Sequence, residues 1–353
     1  MSGCTWLTDV TALAGLTNLT SLNLRGCESV SDLKPLEKLT NLTSLDLGGC
    51  SSVSELKPLE KLTKLTFLDL GWCRAKEFRP IRSLLDTLTS LRVRGSQFLD
   101  LHPAVCGERY PDNAIERVRE YFKALDSGKQ PDADIKVFVL GNGGAGKTSL
   151  VMRLTGKSPT EVERAAPPST HGVLIETHPA PKEWTLPHPV QFCFWDFGGQ
   201  DVYHGTHALF LRGPALYLLL YSHATENDAI LPQGGGPIRN RRPPYWFDYL
   251  QQEAGTDGVV TDPVLLAQSR CDEPPGLDKA PPHEPAPGRF TQLSPVVPVS
   301  AVTDRGLRHL YIQLEDALNA FLEERPRPPL PTSWVKVRQA IHTLRTKGTR
   351  VLT

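Results

Sequence analysis

The chain has 353 residues, enough for two or three domains, and its 39 basic residues balance its 39 acidic ones. This zero net charge gives no global electrostatic reason to expect nucleic acid or an anionic membrane as a partner. The most apolar stretch, ALYLLLY at 215–221, is too short to cross a bilayer. The first residues lack the basic segment and apolar run of a signal peptide. We therefore expect no membrane span, and we expect a reducing, cytoplasmic compartment.

The first part of the chain repeats. The segments LTSLNLRGC, LTSLDLGGC, LTFLDLGWC and LTSLRVRGS begin at positions 19, 42, 65 and 88, a step of 23 residues. This is the leucine-rich pattern, in which each unit adds one short strand to a solenoid. We therefore predict leucine-rich repeats over residues 1–106, acting either as a protein-binding surface or as a folded spacer. The recurring cysteines predict a ladder of buried free thiols rather than disulfides: Cys4, Cys27, Cys50 and Cys73.

A connector helix is expected next, within residues 107–133. Asn113 and Glu116 have the spacing of a capping box, and Gly128 and Pro131 would end the helix. The apolar residues of this segment share one helical face: Ile115, Val118, Phe122 and Leu125.

Alternating strands and helices follow over residues 134–325. Strands are predicted at 135–140, 172–177, 190–195, 215–221, 263–267 and 296–299, and helices at 147–154, 246–252 and 307–322. This alternation predicts an α/β domain with a six-stranded, mostly parallel sheet and helices on both faces. Ligands of such sheets bind beyond the carboxyl ends of the strands.

The loop after the first of these strands, GNGGAGKTS, carries the strongest motif. It satisfies both G-x-G-x-x-G and G-x-x-x-x-G-K-[ST]. A dinucleotide site would need an acid ending a second strand about 20 residues on, where the chain reads TEVERAAPP. A triphosphate loop is therefore predicted, with Lys147 on the β- and γ-phosphates and Thr148 on Mg²⁺. Its predicted nucleotide-binding residues are Gly141, Asn142, Gly143, Gly144, Ala145, Gly146, Lys147, Thr148 and Ser149.

Three later loops supply the remaining chemistry. In WDFGGQD, Asp196 can hold Mg²⁺, while Gly199 and Gln200 can meet the γ-phosphate and orient the attacking water; with Lys147 they form the predicted catalytic set. In AQSRCDEP, the Asp272 carboxylate can accept two hydrogen bonds from guanine, which adenine cannot donate. The backbone of Ser300 and Ala301, in VSAVTD, can bond the guanine carbonyl oxygen.

Together these motifs resemble those of the Ras-like small GTPases. The departure lies in the base-recognition loop, where that family has Asn-Lys-x-Asp and this chain has Ser269, Arg270, Cys271 and Asp272. Because the bracing Asn is replaced by Ser269, an ATPase stays an open alternative. A nucleotide-binding scaffold with negligible hydrolysis and a repeat-based adaptor are further alternatives.

Leucine-rich repeats, a connector helix and such a GTPase together resemble the Roco family, in which a Roc domain follows repeats and precedes a COR domain. PSTHGVLIE, at 168–176, is similar to that family's switch I, which implies that Thr170 ligates Mg²⁺. LPTSWVKVRQAI, at 330–341, resembles the opening of COR, which implies a linker and the start of a COR-like domain over 326–353. Since COR carries dimerisation in that family, a homodimer is implied if a full-length protein contains it.

The resemblance implies a regulatory, slow GTPase with GTP/GDP and Mg²⁺ as cofactors and a protein partner on the repeats. A Gly/Pro-rich insertion at 232–246 contains arginines. It is interpreted as a mobile loop, with the alternative that one of its arginines, or Arg212, stabilises transition-state charge from a neighbouring subunit. The insertion's three arginines are Arg239, Arg241 and Arg242.

Overall fold

The computed structural model describes residues 3–96, 98–107, 112–165, 172–198, 210–211, 213–225, 230–231, 238–255, 258–272, 285, 287–325 and 327–346. The chain divides into two compact units. One comprises Met1–Asp132 together with Arg325–Thr353, and the other comprises Ala133–Glu324.

The first unit begins with a parallel sheet of four three-residue strands. Each strand pairs with the next at a register of one repeat, so that Ser21 lies opposite Ser44, Ser44 opposite Phe67 and Phe67 opposite Ser90. A 3-10 helix precedes each strand on the other side of the solenoid, and the leucines between the two layers are buried. The predicted leucine-rich solenoid is confirmed. Its strands are β1 (Ser21–Asn23), β2 (Ser44–Asp46), β3 (Phe67–Asp69) and β4 (Ser90–Arg92), and its 3-10 helices are Thr11–Gly15, Lys34–Lys38, Lys57–Lys61 and Arg79–Asp86.

The repeated cysteines contribute thiols that bond backbone of the preceding repeat. Cys50 Sγ donates to Leu24 O at 3.1 Å, and Cys73 Sγ donates to Leu47 O at 3.2 Å. In the last repeat Ser96 replaces the cysteine, and its hydroxyl makes the equivalent bond. Burial raises the pKa of the Cys50 thiol to about 12, so it stays protonated. All seven cysteines are free, as the predicted thiol ladder requires.

Two helices follow the repeats, α1 (Pro103–Cys106) and α2 (Ile115–Asp126). The apolar face of α2 joins the core of the repeats, so the helix covers the end of the solenoid. The predicted capping box does not form: the helix begins after Ala114, and Asn113 Oδ1 accepts from Leu91 N at 3.0 Å as well as from Ile115 N. Asn113 therefore provides a hydrogen-bond acceptor for the edge of β4, while Glu116 forms an ion pair with Arg119.

The second unit contains a six-stranded sheet, formed by β6 (Asp134–Leu140), β7 (Val173–Pro179), β8 (Gln191–Phe197), β9 (Leu216–Tyr221), β12 (Val264–Gln268) and β13 (Leu293–Pro298). Their order across the sheet is β13-β12-β9-β6-β8-β7. All neighbours are parallel except β7, which runs antiparallel to β8. A short antiparallel hairpin, β10 (Ile230–Leu231) with β11 (Ile238–Arg239), lies in the segment after β9. Before β6, β5 (Lys129–Gln130) belongs to the first unit. All six predicted strands are present in the six-stranded sheet.

Helices cover both faces of this sheet. One core contains the odd-numbered β6 residues, such as Val137, packed with α3 (Lys147–Leu154) and α6 (Leu307–Glu324). The other contains the even-numbered ones, such as Phe138, packed with α5 (Pro243–Glu253). Because alternate residues of a strand point to opposite faces, both faces of β6 are buried, and the predicted doubly wound α/β domain is confirmed. Its described helices are α3, α4 (Pro159–Ala165), α5 and α6.

The chain then returns to the first unit. There β14 (Leu330–Pro331) pairs antiparallel with β5, and α7 (Thr332–Thr346) follows. Tyr121 of α2 donates its hydroxyl to Pro329 O at 2.7 Å. The buried Asp132 carboxylate pairs with Arg327 and Arg338. These contacts join the segment that precedes the second unit to the segment that follows it.

Candidate nucleotide-binding site

The loop between β6 and α3 has a backbone that only glycine fits at its first position. Gly141 has a φ of +140°, and a Cβ placed there would lie 2.1 Å from Leu220 O of β9. Gly146, with a φ of +87°, immediately precedes the first residue of α3. The loop therefore lies tightly against the sheet and ends at a helix N-terminus, where backbone N–H groups are available to an anion.

Lys147 lies inside this loop with 6% of its surface exposed. Its Nζ donates to Gly141 O at 2.9 Å and to Asn142 O at 2.8 Å. Burial lowers the pKa of the ammonium to about 8, and the nearby Asp196 carboxylate opposes that shift. The cation is thus held by two carbonyl oxygens of the loop, and a phosphate contact there would favour its charged form.

Thr148 and Asp196 bring two oxygen ligands together. The Thr148 hydroxyl donates to the Asp196 carboxylate at the carboxyl end of β8, and Asp196 is buried. Within the described ranges, no group of three or more His, Cys, Asp or Glu side chains is arranged to hold a metal ion. One hydroxyl and one carboxylate fit Mg²⁺, which usually takes its remaining ligands from water and substrate phosphates.

The Asn142 side chain holds the phosphate loop to two distant segments. Its Nδ2 donates to Thr225 O at 2.8 Å and to Arg241 O at 2.7 Å. Its Oδ1 accepts from Arg241 N at 2.8 Å and from Trp246 Nε1 at 3.3 Å. The sequence motif assigned Asn142 to the nucleotide, but its side chain is fully used by these four bonds. The motif did not predict that Asn142 would bond Thr225 and Trp246, because these partners are 83 or more positions away in the sequence.

The loop after β12 is held against the phosphate loop. Ser269 Oγ lies 2.5 Å from Ala145 O and 3.2 Å from Tyr221 O. Ser269 therefore contacts the phosphate loop despite replacing Asn. Arg270 adopts a φ of +58°, which is uncommon for a residue with a Cβ, and Asp272 follows with an exposed side chain.

The loop after β13 contacts the same region. Ser300 is buried, and its Oγ accepts from the backbone amides of Val302 and Thr303, both at 3.2 Å. Cys271 N donates to Val299 O at 3.2 Å, which ties this loop to the one after β12. Arg153 of α3 also donates to Ala301 O, at 3.1 Å.

Most predicted site residues therefore lie in loops at one edge of the sheet, after β6, β8, β12 and β13. Gly143, Gly144 and Ser149 lie in the phosphate loop and the first turn of α3. Thr170, Gly199 and Gln200, as well as Arg212, lie outside the described residues. The roles of Thr170, Gly199 and Gln200 thus stay predictions from the sequence.

Comparison with known proteins agrees with this arrangement. Residues 136–272 match the family model described as "Ras of Complex, Roc, domain of DAPkinase", and residues 17–58 match "Leucine Rich repeats (2 copies)". A probable serine/threonine-protein kinase, roco11 of Dictyostelium discoideum, is 29% identical over 171 residues, covering 46% of this chain and 10% of the relative. A Roc-COR-CHAT protease of Runella zeae is 22% identical over 285 residues, covering 78% of this chain and 29% of the relative.

Among solved structures, Methanosarcina barkeri Roco2 RocCORdC bound to GDP is 26% identical, covers 60% of this chain and 57% of its own, and has a TM-score of 0.42. The chain spans less than a third of the length of the two curated relatives above. The fold and the matched models define a leucine-rich-repeat protein with a Ras-like P-loop domain. More narrowly, residues 136–272 of that domain match the Roc model, and the relatives that the chain resembles include a Roco kinase and a Roc-COR-CHAT protease.

None of the helices in the described part of the chain combines the length and apolarity that crossing a membrane requires.

Proposed function

We propose that this protein is a regulatory GTPase that binds GTP and GDP with Mg²⁺ and converts GTP and water to GDP and phosphate. One observation carries the proposal. The buried Lys147 loop, the Thr148–Asp196 oxygen pair and the Ser269 loop meet at one edge of the sheet. A phosphate loop alone would fit many nucleotides, but its contact with a loop that ends in Asp272 adds a place for the base.

The phosphates would bind to the loop's amides, and Lys147 would exchange its contacts with Gly141 O and Asn142 O for phosphate oxygens. Magnesium, held by Thr148, Asp196 and Thr170, would neutralise charge on the β- and γ-phosphates. Asp272 would accept hydrogen bonds from guanine, while the Ser300–Ala301 backbone would bond the guanine carbonyl oxygen. Ser269 supports this arrangement because it holds the base loop to Ala145.

Hydrolysis needs a correctly placed water, and we assign its orientation to Gln200 and the γ-phosphate contact to the Gly199 amide. We expect slow intrinsic turnover, because no arginine is assigned to the reaction within the chain. Arg241, one of the arginines considered for that role, has its guanidinium over the Tyr245 ring at 4.8 Å.

The remaining parts define the wider role. The leucine-rich repeats would bind a protein partner, and a COR-like continuation of α7 would make the full-length protein a homodimer. The proposed compartment is the cytoplasm. Contacts with the γ-phosphate would order Thr170 and residues 199–207 in the GTP-bound protein, and hydrolysis would release them.

Competition between nucleotides tests guanine binding and separates it from the ATPase alternative. Fluorescently labelled GTP bound with Mg²⁺ should be displaced by unlabelled GTP and GDP, while the same excess of ATP leaves it bound. Displacement by ATP as effective as by GTP would contradict the proposal. Asp272→Ala should reduce the preference for guanine over adenine by about tenfold or more, because one charged acceptor of two hydrogen bonds is lost.

A single-turnover assay addresses the scaffold alternative. Wild-type protein loaded with GTP should release phosphate, and Gln200→Leu should slow that release while leaving nucleotide affinity unchanged. A wild-type rate equal to that of the variant would favour a nucleotide-binding scaffold. Retention of every activity in Lys147→Ala would instead favour the adaptor.

A further inference from the structure

One repeat departs from the others at a position where the ladder has glycine. The residue before each ladder cysteine or serine has a positive φ, and at four of these five positions it is glycine: Gly3, Gly26, Gly49 and Gly95, with φ of 75°, 70°, 79° and 71°. In the third repeat the position is Trp72, with a φ of 59°. A bulky side chain in this backbone region is a rare and strained choice, and such strain concentrates at functional positions.

The Trp72 ring is held in a defined place although 46% of the residue is exposed. A Cβ on Gly95 would lie 2.5 Å from the ring's Cδ1, so the indole occupies space that the missing side chain leaves. The Arg94 guanidinium lies over the ring, 5.1 Å from its centroid. The aromatic group is therefore ordered before any partner arrives, which lowers the entropic cost of binding.

A second arginine–aromatic pair lies on the same two repeats. Arg92 of β4 lies over the Phe67 ring of β3 at 5.1 Å. The corresponding strand position is serine in the other three repeats: Ser21, Ser44 and Ser90. We call Phe67, Trp72, Arg92 and Arg94 the Trp72 face. Aromatic residues and arginine are the side chains enriched at the energetic centres of protein interfaces.

The charge of this face is positive. Arg92 lies 3.5 Å from Asp69, but that carboxylate is 1% exposed and also pairs with Arg25 at 2.8 Å. Arg94 and the exposed Arg74 add further positive charge beside the indole. The Arg94 guanidinium lies over the Trp72 ring, an arrangement that keeps its N–H edge available to a carboxylate.

We propose that the Trp72 face binds an acidic peptide segment of a protein partner, in which carboxylates meet Arg92 and Arg94 and an apolar side chain packs on Trp72. The positive charge is local, since the whole chain carries equal numbers of basic and acidic residues. An extended polyanion such as nucleic acid would need a longer basic surface. The inference rests on the proposed protein-binding role of the repeats and needs no nucleotide turnover.

Trp72→Gly is the sharpest variant, because glycine occupies the same position at the other four steps of the ladder and relieves the backbone strain. Arg94→Ala removes the guanidinium while leaving Trp72 in place. Trp6→Ala is the matched control, since it removes an indole that is 78% exposed elsewhere in the repeats. Thermal unfolding of each variant would establish that the repeats remain folded.

The probe is a display library of random short peptides, selected on the 353-residue chain, followed by anisotropy titrations of the enriched peptides. We expect acidic peptides with an apolar residue, which lose about tenfold or more in affinity with Trp72→Gly and with Arg94→Ala but keep it with Trp6→Ala. No enrichment, enrichment of neutral or basic peptides, equal binding to Trp72→Gly, or competition by single-stranded DNA would overturn the proposal. GTP binding measured on the same preparations keeps failure of this inference distinct from failure of the GTPase proposal.

Discussion

The two units of this chain bury polar atoms for different purposes. In the repeats, the thiols of Cys50 and Cys73 and the hydroxyl of Ser96 each bond a backbone carbonyl of the preceding repeat. In the second unit, buried polar side chains gather at the carboxyl edge of one sheet: Asn142, Lys147, Asp196, Ser269 and Ser300.

In the repeats, the buried polar side chains bond backbone carbonyls and so complete the solenoid. In the second unit, they are arranged around a candidate ligand site. A thiol that donates its single hydrogen to a neighbouring carbonyl has no hydrogen left to donate to a ligand. A buried ammonium whose pKa is lowered by burial is poised to gain a stronger partner. Variants in the two units should therefore differ in what they disturb, ligand binding in one and folding stability in the other.

Lys147→Ala should have the largest effect. Losing the cation at the phosphates should weaken GDP and GTP binding by about 4 kcal/mol, roughly a thousandfold, since several charge-assisted bonds are lost together. Nucleotide titrations would measure this, with the exposed Lys157→Ala as the matched control. Equal losses in the two variants would mean that Lys147 has no special position.

Asn142→Ala should destabilise the second unit. The change removes four hydrogen bonds and leaves their partners near Thr225, Arg241 and Trp246 without the side chain that satisfied them. We expect a loss of about 3 kcal/mol in the free energy of unfolding. Calorimetry should show a lower transition for this unit and an unchanged one for the repeats. A shift of both transitions would contradict the separation of the units.

His102 should make the first unit sensitive to acid. Its Nδ1 accepts from Ala104 N at 3.2 Å, and its ring contacts Trp334 edge-on. Burial lowers its pKa from the ordinary value of 6.5, with Asp132 opposing the shift and Arg327 and Arg338 adding to it.

Below pH 6.5 the unfolded chain binds the proton more readily than the folded one, so stability falls as the pH is lowered through the depressed folded pKa. Denaturant titrations across this window would measure the effect. His102→Asn, which keeps an acceptor at this helix N-cap but does not titrate, should flatten the dependence. A dependence that persists in the variant would assign it to another group.

Cys50→Ser should have the smallest effect. A hydroxyl at this position can make the bond that Ser96 makes to Leu70 O in the last repeat. We expect a change in the free energy of unfolding of less than about 1 kcal/mol. A collapse of the repeats in chemical denaturation would show that the thiol does more than complete the ladder.

The sequence predicted features that depend on local pattern. The run ALYLLLY contains β9, whose six residues are all buried. The 23-residue step of the repeats corresponds to the register in which β1 to β4 pair. The phosphate loop was equally clear, because glycine spacing, a preceding strand and a following helix all lie within one segment.

Contacts between distant segments could not be predicted in this way. Asn113 has the spacing of a capping box, yet its carboxamide bonds β4, whose edge needs a partner. Asn142 was predicted as part of the phosphate loop, but the motif gave no signal that its side chain bonds residues near 225 and 241. Short polar side chains choose among local and distant partners of similar energy, and only the folded backbone decides between them. The antiparallel placement of β7 likewise followed from the fold rather than from its residues.

Isothermal titration of the folded 353-residue chain with GDP and GTP in the presence of Mg²⁺ tests the central claim most directly. The structure predicts saturable binding at one site per chain, lost in Lys147→Ala and retained in Lys157→Ala. Absence of heat and of binding for both nucleotides, with the wild-type protein shown to be folded, would contradict the claim that these strand-end loops form a guanine nucleotide site.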